Sequence, residues 1–152
     1  MKKLFVLIMC FLILFTGCAK KDTSVTDKGT VSFTVIDGFS GLPLEGVRIV
    51  LPENNCELIS NSEGKTDKAE ISVVKNETYT VPQEYGTFTV LGYKEGYNDY
   101  ALFYAQIKKG AERNIKVYMF LKDTPMSSGT PLSTIESPDK DWVNEIVQKY
   151  KK

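Results

Sequence analysis

The feature that most constrains the fold is the alternation of short β-forming runs with turn-forming residues between Gly29 and Leu121. In the run "TVSFTVID" (30–37) apolar and polar side chains alternate, so one face of a strand would be apolar. Six further runs lie at 47–51, 57–60, 69–74, 86–94, 100–107 and 114–121. Segments rich in Asn, Ser, Gly and Pro separate several of them, as turns require. The pattern is typical of an all-β sandwich or barrel, and we predict seven strands.

The start of the chain has the pattern of an export signal. Met1-Lys2-Lys3 is positively charged, and the 12 residues from Leu4 to Phe15 carry no charge. A helix needs about 20 apolar residues to span a bilayer, so a secretory signal fits better than a transmembrane helix. We predict that residues 1–17 form the signal peptide.

The signal ends on a motif that indicates lipid attachment. The stretch Phe15-Thr16-Gly17-Cys18 resembles a bacterial lipobox, with Phe15 where Leu is usual. The resemblance implies that Cys18 receives a diacylglycerol and an acyl chain such as palmitate, and that residues 18–28 form a tether. The protein would then be anchored to the bacterial cell membrane, facing outside the cytoplasm. The alternative is an ordinary signal with a chance cysteine.

Composition argues against several classes of function. The chain has no histidine, which removes the usual general base and the usual metal ligand. We therefore predict no enzyme activity, no metal and no cofactor. Without residues 1–17, 17 basic residues face 19 acidic ones, and this balance does not favour nucleic-acid binding. We expect turn carboxylates such as Asp37 and Glu63 to be solvated and Cys56 to be a buried or half-buried residue.

Several spaced motifs together are similar to those of one domain family. They are Gly29-x-Val31, Val35-x-Asp37, "GLPLEGVRIV" (41–50), Ser62-Glu63-Gly64-Lys65, Gly86-Thr87-Phe88-Thr89-Val90 and Gly96-Tyr97. This order resembles the carboxypeptidase regulatory-like domain. The resemblance implies a seven-stranded transthyretin-like (prealbumin-like) Greek-key sandwich over 29–121. It also implies a non-catalytic role, because that domain lends no catalytic residues to the peptidases that carry it.

The last two predicted strands suggest a binding patch. If Ala101, Phe103 and Ala105 face the core and the two strands pair as a hairpin, the other side chains form an outer aromatic face. The predicted patch consists of Tyr100, Leu102, Tyr104, Tyr118 and Phe120. Monomers rarely expose such a surface. We expect it to bind a protein partner or, as the alternative, to stack on the sugar rings of a polysaccharide.

The end of the chain is predicted to be a linker (122–137) followed by an amphipathic helix (138–152), with Ser137 as N-cap and Pro138 as the first helical residue. Its apolar face would carry Trp142, Val143, Ile146, Val147 and Tyr150. A helix of this length is marginal alone in water. It is expected either to lie over the patch as a lid or to dock on a partner or the membrane interface.

Overall fold

The computed structural model describes residues 27–74, 80–122, 124 and 131–151. The predicted signal peptide, Cys18 and the tether up to residue 26 lie outside the described residues. The described chain forms two β-sheets and one C-terminal helix, which confirms the all-β sandwich. Its strands are β1 (Lys28–Asp37), β2 (Arg48–Leu51), β3 (Cys56–Ile59), β4 (Ala69–Ser72), β5 (Tyr85–Tyr93), β6 (Tyr100–Lys108), β7 (Glu112–Met119) and β8 (Leu132–Ile135). The helix α1 spans Lys140–Tyr150.

The two sheets differ in size and in their connections. The three-stranded sheet has the order β4-β1-β7, and its β1–β7 pairing is parallel. The five-stranded sheet has the order β3-β2-β5-β6-β8, antiparallel except for the β6–β8 pair. Strands β1 to β7 correspond to the seven predicted runs. Strand β8 is an eighth, and it lies in the segment predicted to be a linker. The Greek-key, transthyretin-like assignment stays a prediction.

The core lies between the sheets and follows the alternation of the strands. In β1 and β7 every second side chain is buried, and the residues between them face outward. The fully buried large side chains include Phe33, Ile49, Leu51, Ile71 and Met119. Because these side chains come from both sheets, burial of their apolar surface is what holds the two layers together.

One turn shows why its glycine is required. Gly64 has φ +72°, and a Cβ placed on it would lie 2.4 Å from the backbone oxygen of Val35. The backbone N–H of Val35 donates to the Gly64 oxygen at 2.7 Å, so the turn is in direct contact with β1. The prediction of positive φ at Gly64 and at Gly96 is confirmed.

The predicted hairpin between the last two runs is wrong. Strand β6 pairs with β5 and β8, whereas β7 pairs with β1 in the other sheet. The connection after Lys108 crosses from one sheet to the other through Gly110, which has φ +69°. Arg113 of β7 then donates from Nη1 to the Gln106 oxygen at 2.6 Å, across the edge of the sandwich. The outer faces of β6 and β7 therefore point to opposite sides of the domain.

The described part of the chain contains no helix long and apolar enough to cross a membrane.

Candidate functional site

The candidate site begins with an irregularity in the pairing of β5 and β6. Phe88 pairs with Ala105 and Val90 pairs with Leu102, so that two residues, Phe103 and Tyr104, stand opposite Thr89. This is a β-bulge, and its extra residue shifts the alternation of β6 by one position. Tyr104 has φ +59°, a left-handed conformation that is rare for a residue of its size.

The bulge overturns part of the predicted patch. Tyr100 and Leu102 are only 7% and 8% exposed and belong to the core cluster. Before the bulge, the side chains that were expected to face outward therefore face the core. Phe103, which was expected in the core, is 40% exposed. Tyr104 is 61% exposed, so its predicted outward orientation is confirmed.

The backbone N–H opposite the bulge is satisfied by a side chain. Glu53, in the short 3₁₀ turn Pro52–Asn54 that follows β2, accepts from the Thr89 N–H with both carboxylate oxygens, each 3.1 Å away. In the five-stranded sheet β2 and β6 lie on opposite sides of β5, and β2 ends at Leu51. Glu53 therefore takes the place of a β2 partner for the Thr89 N–H, and it ties the turn after β2 to β5.

Beside Tyr104 lies a groove of about 340 Å³. Its floor is the outer face of β5 and β6, one wall is formed by β8 and the residues after it, and the other by the segment before β5. The lining residues are Gln83, Tyr85, Thr87, Tyr104, Gln106, Ile135, Glu136 and Pro138. We name this feature the Tyr104 groove.

Hydrogen bonds hold the polar side chains of the Tyr104 groove. The Nε2 amide of Gln83 donates to the Tyr85 hydroxyl at 2.9 Å, and the Nε2 amide of Gln106 donates to the Ser137 oxygen. Arg113 forms an ion pair with Glu136, with 2.9 Å between Nη2 and Oε2. The two amides and the carboxylate therefore have fixed orientations, and the charge of the carboxylate is neutralised.

Helix α1 begins two residues later than predicted. Its N-cap is Asp139, whose carboxylate accepts from the backbone N–H groups of Asp141 at 3.1 Å and Trp142 at 3.2 Å. Ser137 and Pro138 precede the cap, because the carboxylate satisfies the free N–H groups of the first turn. The Trp142 N–H, followed by the ion pair with Lys108 at 3.2 Å, lowers the pKa of Asp139.

Helix α1 packs on its own domain, next to the Tyr104 groove. The indole N–H of Trp142 donates to the Val81 oxygen at 3.0 Å, and the indole lies edge-on to Tyr85 with 6.3 Å between ring centroids. Lys149 donates from Nζ to the Thr80 oxygen at 3.0 Å. Of the two alternatives, the helix thus packs on its own domain, but it covers the segment before β5 and not the predicted patch, so the predicted lid over that patch is wrong.

Only part of the predicted apolar face of α1 is used in this contact. Trp142 and Ile146 are half-buried, whereas Val143, Val147 and Tyr150 are 38%, 54% and 61% exposed. These three exposed residues are spaced i, i+4 and i+7, so they form one stripe along the helix. The helix thus contacts its own domain with one side and presents a narrow apolar stripe on another.

The two patch residues contributed by the last predicted strand lie on the other side of the sandwich. Tyr118 in β7 is 46% exposed on the outer face of the three-stranded sheet. Phe120 is half-buried and packs edge-on against Phe39, with 5.3 Å between ring centroids. The five predicted patch residues therefore do not form one surface, and of the five only Tyr104 lines the groove.

Asp37 differs from the solvated turn carboxylate that the sequence suggested. It is only 8% exposed, and it accepts from the backbone N–H groups of Phe39 and Ser40, from the Ser40 hydroxyl and from the Tyr97 hydroxyl. The Ser40 N–H contributes most to lowering the pKa of Asp37, and burial opposes it. Asp37 is thus a structural link between the turn after β1 and Tyr97.

Two other predictions concern metal ligands and cysteine. Within the described residues no group of three or more Cys, Asp or Glu side chains has the geometry to hold a metal ion. Cys56 is half-buried and is not in a disulfide, as expected from the sequence.

Comparisons with known proteins add little. No family model matches the chain, and no curated protein matches it. Solved structures that align with it include the Bacillus anthracis TIE protein, at 13% identity over 62% of this chain and 17% of that one, with a TM-score of 0.43. Two interface mutants of a type II cohesin–X-dockerin complex from Acetivibrio cellulolyticus also align, both with a TM-score of 0.43. The first has 16% identity and covers 64% of this chain and 61% of that one. The second has 17% identity and covers 67% of this chain and 63% of that one. The chain thus spans less than two thirds of the length of each of these three chains.

Proposed function

We propose that this protein is a non-catalytic binding module, anchored through a lipid on Cys18 to the bacterial cell membrane and facing outside the cytoplasm, and that the Tyr104 groove is its binding site. The observation that carries the proposal is the strained backbone of Tyr104. A bulky residue at positive φ persists only where the surrounding structure enforces it, and such residues cluster at functional sites. Here the bulge directs the Tyr104 ring outward beside a groove lined by fixed polar groups.

The chemistry of the groove supports binding rather than catalysis. Its side chains are amides, a hydroxyl, two phenols, apolar groups and one carboxylate that is paired with Arg113. General acid–base catalysis needs groups whose protonation states can change during the reaction. The neutralised carboxylate and the two amides serve better to orient a ligand.

The first strand, β1, starts at the end of the domain that carries the groove. The Lys28 oxygen, at the start of β1, accepts from the Gly110 N–H at 2.7 Å. Tyr85, which lines the groove, pairs with Lys108, two residues before Gly110. The nine residues between Cys18 and Lys28 reach roughly 30 Å when fully extended. A lipid on Cys18 would thus hold the groove-bearing end of the domain close to the membrane.

A second candidate is binding of a protein partner through helix α1. The observation that favours it is the exposed stripe of Val143, Val147 and Tyr150. An apolar stripe of this spacing fits a partner that offers an apolar groove to a helix. In that case Val147→Asp would abolish crosslinking of α1 to the partner, and Tyr104→Ala would leave it unchanged.

The anchor is tested by labelling cells that express the full chain with a radioactive or clickable palmitate. Cys18→Ala should abolish labelling and move the protein out of the membrane fraction. Cys10→Ala is the matched control, because Cys10 lies within the predicted signal. This variant should keep both the palmitate label and its place in the membrane fraction. Unchanged labelling of Cys18→Ala would contradict the anchor.

The site is tested by placing a photoreactive amino acid at position 104 or at position 118 in cells. The exposed Tyr118 is the control, because it lies on the opposite sheet. The proposal predicts a specific adduct from position 104 alone. An excess of protein without the photoreactive residue should reduce the yield of this adduct. Equal adducts from both positions would contradict the assignment of the site.

A further inference from the structure

We propose that the ligand of the Tyr104 groove is an uncharged saccharide, a short stretch of a glycan chain that stacks on the Tyr104 ring. This inference rests on the proposed function, that the groove is a binding site, and it adds the class of ligand. Three properties of the groove lead to it: the pairing of its backbone, its charge, and the mixture of side chains that line it.

Much of the edge of β6 next to the groove is already occupied. Strand β6 lies between β5 and β8, and β8 pairs with it from Tyr100 to Phe103. Beyond β8, the Glu136 N–H donates to the Phe103 oxygen at 3.1 Å, and Arg113 donates to the Gln106 oxygen at 2.6 Å. Extended peptides bind sheets mainly by adding a strand to a free edge. With these two backbone oxygens taken, recognition at the groove falls mainly to side chains.

The charge of the groove favours a neutral ligand. Among the described residues that line it, Glu136 is the one with a carboxylate, and the Arg113 guanidinium lies 2.9 Å from that carboxylate. A charged ligand would enter without an opposite charge to pair with, and it would lose hydration without compensation. This argues against phosphate-bearing, sulfated or uronic-acid ligands.

The lining combines an aromatic face with fixed polar groups. The Tyr104 ring is 61% exposed, and aromatic faces contact apolar surfaces of ligands. Thr87 and Gln106 are register partners on the outer face of β5 and β6, so their Cβ atoms lie about 5 Å apart. A sugar ring matches this arrangement, since one of its faces carries C–H groups and its rim carries hydroxyls that both donate and accept hydrogen bonds.

The size of the groove limits how much of a chain it can hold. Its volume of about 340 Å³ lies at the lower end of the range of about 300–1,000 Å³ for ligand pockets. It therefore fits a short segment of a glycan, with the remainder of the chain in solvent.

The experiment measures binding of the purified full-length protein, in detergent, to an array of uncharged glycans, with uronic-acid polysaccharides and a random peptide library beside it. We expect uncharged glycans to bind, and calorimetry with the best soluble oligosaccharide should show at least a tenfold loss of affinity for Tyr104→Ala. Tyr104→Gly removes the ring and relieves the strained φ, so it should lose binding as well while it stays folded. Tyr104→Trp should retain binding, and Tyr118→Ala is the control that should bind as the wild type does.

The outcomes separate the two proposals. Binding of a peptide or a charged polysaccharide that depends on Tyr104, without binding of uncharged glycans, would overturn the saccharide inference and leave the binding module intact. Absence of any binding that depends on Tyr104 would overturn both. Binding of uncharged glycans that is equal in the wild type and in Tyr104→Ala would also overturn the inference.

Discussion

Glu53 and Thr89 are joined by a hydrogen bond that ties the turn after β2 to β5. The Thr89 N–H lies 3.1 Å from each carboxylate oxygen of Glu53. On its other side β5 pairs with β6, where Phe103 and Tyr104 stand opposite Thr89 at the bulge. A side chain 36 residues earlier in the chain thus holds the strand against which the bulge forms.

The first prediction concerns this bond. Glu53→Ala should lower the free energy of unfolding by about 1 kcal/mol, because the backbone N–H of Thr89 loses its acceptor. Glu53→Gln should lower it less, since the amide oxygen can still accept. Denaturant unfolding measures both variants. Glu57→Ala is the matched control: it breaks only an exposed ion pair with Arg48, and such pairs contribute roughly 0–1 kcal/mol. Equal losses for Glu53→Ala and Glu57→Ala would refute a special role for Glu53.

The strands were predictable because their signals are local. Each of the seven predicted runs overlaps one of the strands β1 to β7, since alternation and turn residues are properties of adjacent positions. The pairing of β6 was not predictable in the same way. The run "YALFYAQI" has apolar and aromatic residues at nearly every position, so it is compatible both with a regular strand and with a bulged one. The choice is made by contacts distant in sequence, such as the pairing of β8 with β6.

The second prediction concerns Asp37 and pH. Because its folded-state pKa lies below its ordinary value, the ionised carboxylate adds stability above the unfolded-state pKa of about 3.9, and this stability is lost as the pH falls through the folded-state pKa. Asp37→Asn should therefore lower the free energy of unfolding by about 1–2 kcal/mol at pH 7. The gap between the variant and the wild type should shrink below about pH 4.

Thermal or denaturant unfolding at pH 7 and at pH 3 checks this dependence. Tyr97→Phe removes one of the hydrogen bonds to Asp37 and should show a smaller loss at pH 7. A gap between Asp37→Asn and the wild type that is the same at both pH values would show that the ionised carboxylate does not contribute.

The third prediction separates backbone conformation from close contact. Gly64 and Gly110 have similar angles, φ +72° and +69°, but a Cβ at Gly64 would lie 2.4 Å from the Val35 oxygen, and a Cβ at Gly110 meets no described atom within 4 Å. Gly110→Ala should cost about 1 kcal/mol for the left-handed conformation alone. Gly64→Ala should cost at least about 2 kcal/mol more, because β1 must shift. Equal losses of stability in denaturant unfolding would contradict the close contact.

The fourth prediction concerns the packing of α1. Trp142→Phe removes the hydrogen bond to the Val81 oxygen and should lower the free energy of unfolding by about 1 kcal/mol. It should also speed proteolytic cleavage near the start of α1, because the helix is marginal without its contacts. Val147→Ala alters a side chain that is 54% exposed and serves as the control with little change. If both variants behave alike, α1 does not depend on Trp142 for its position.

Most of the Tyr104 groove could not be predicted from the sequence. Alternation in the sequence predicts the outward orientation of Tyr104, and the spacing of apolar residues predicts that Trp142 lies on the apolar face of α1. Gln83, Gln106 and Glu136, however, meet only because β8 pairs with β6 and the C-terminal segment runs along its edge. The four residues of β8 are all exposed. Its sequence, "LSTI", does not alternate between apolar and polar residues, so no apolar face marks it as a strand. A weak signal is present in β5, where the exposed Thr87 stands between the buried Gly86 and Phe88.

The candidate site depends most on the bulge, which places Tyr104 outside while Tyr100 and Leu102 lie in the core. It is tested by introducing single cysteines at positions 100, 102, 103 and 104 into a chain in which Cys10, Cys18 and Cys56 are replaced by serine. The rate of thiol labelling is measured under native conditions, and each rate is normalised to its value in denaturant. We expect fast labelling at 103 and 104 and strong protection at 100 and 102. Fast labelling at 100, 102 and 104 with protection at 103 would show a regular strand without a bulge and would contradict it.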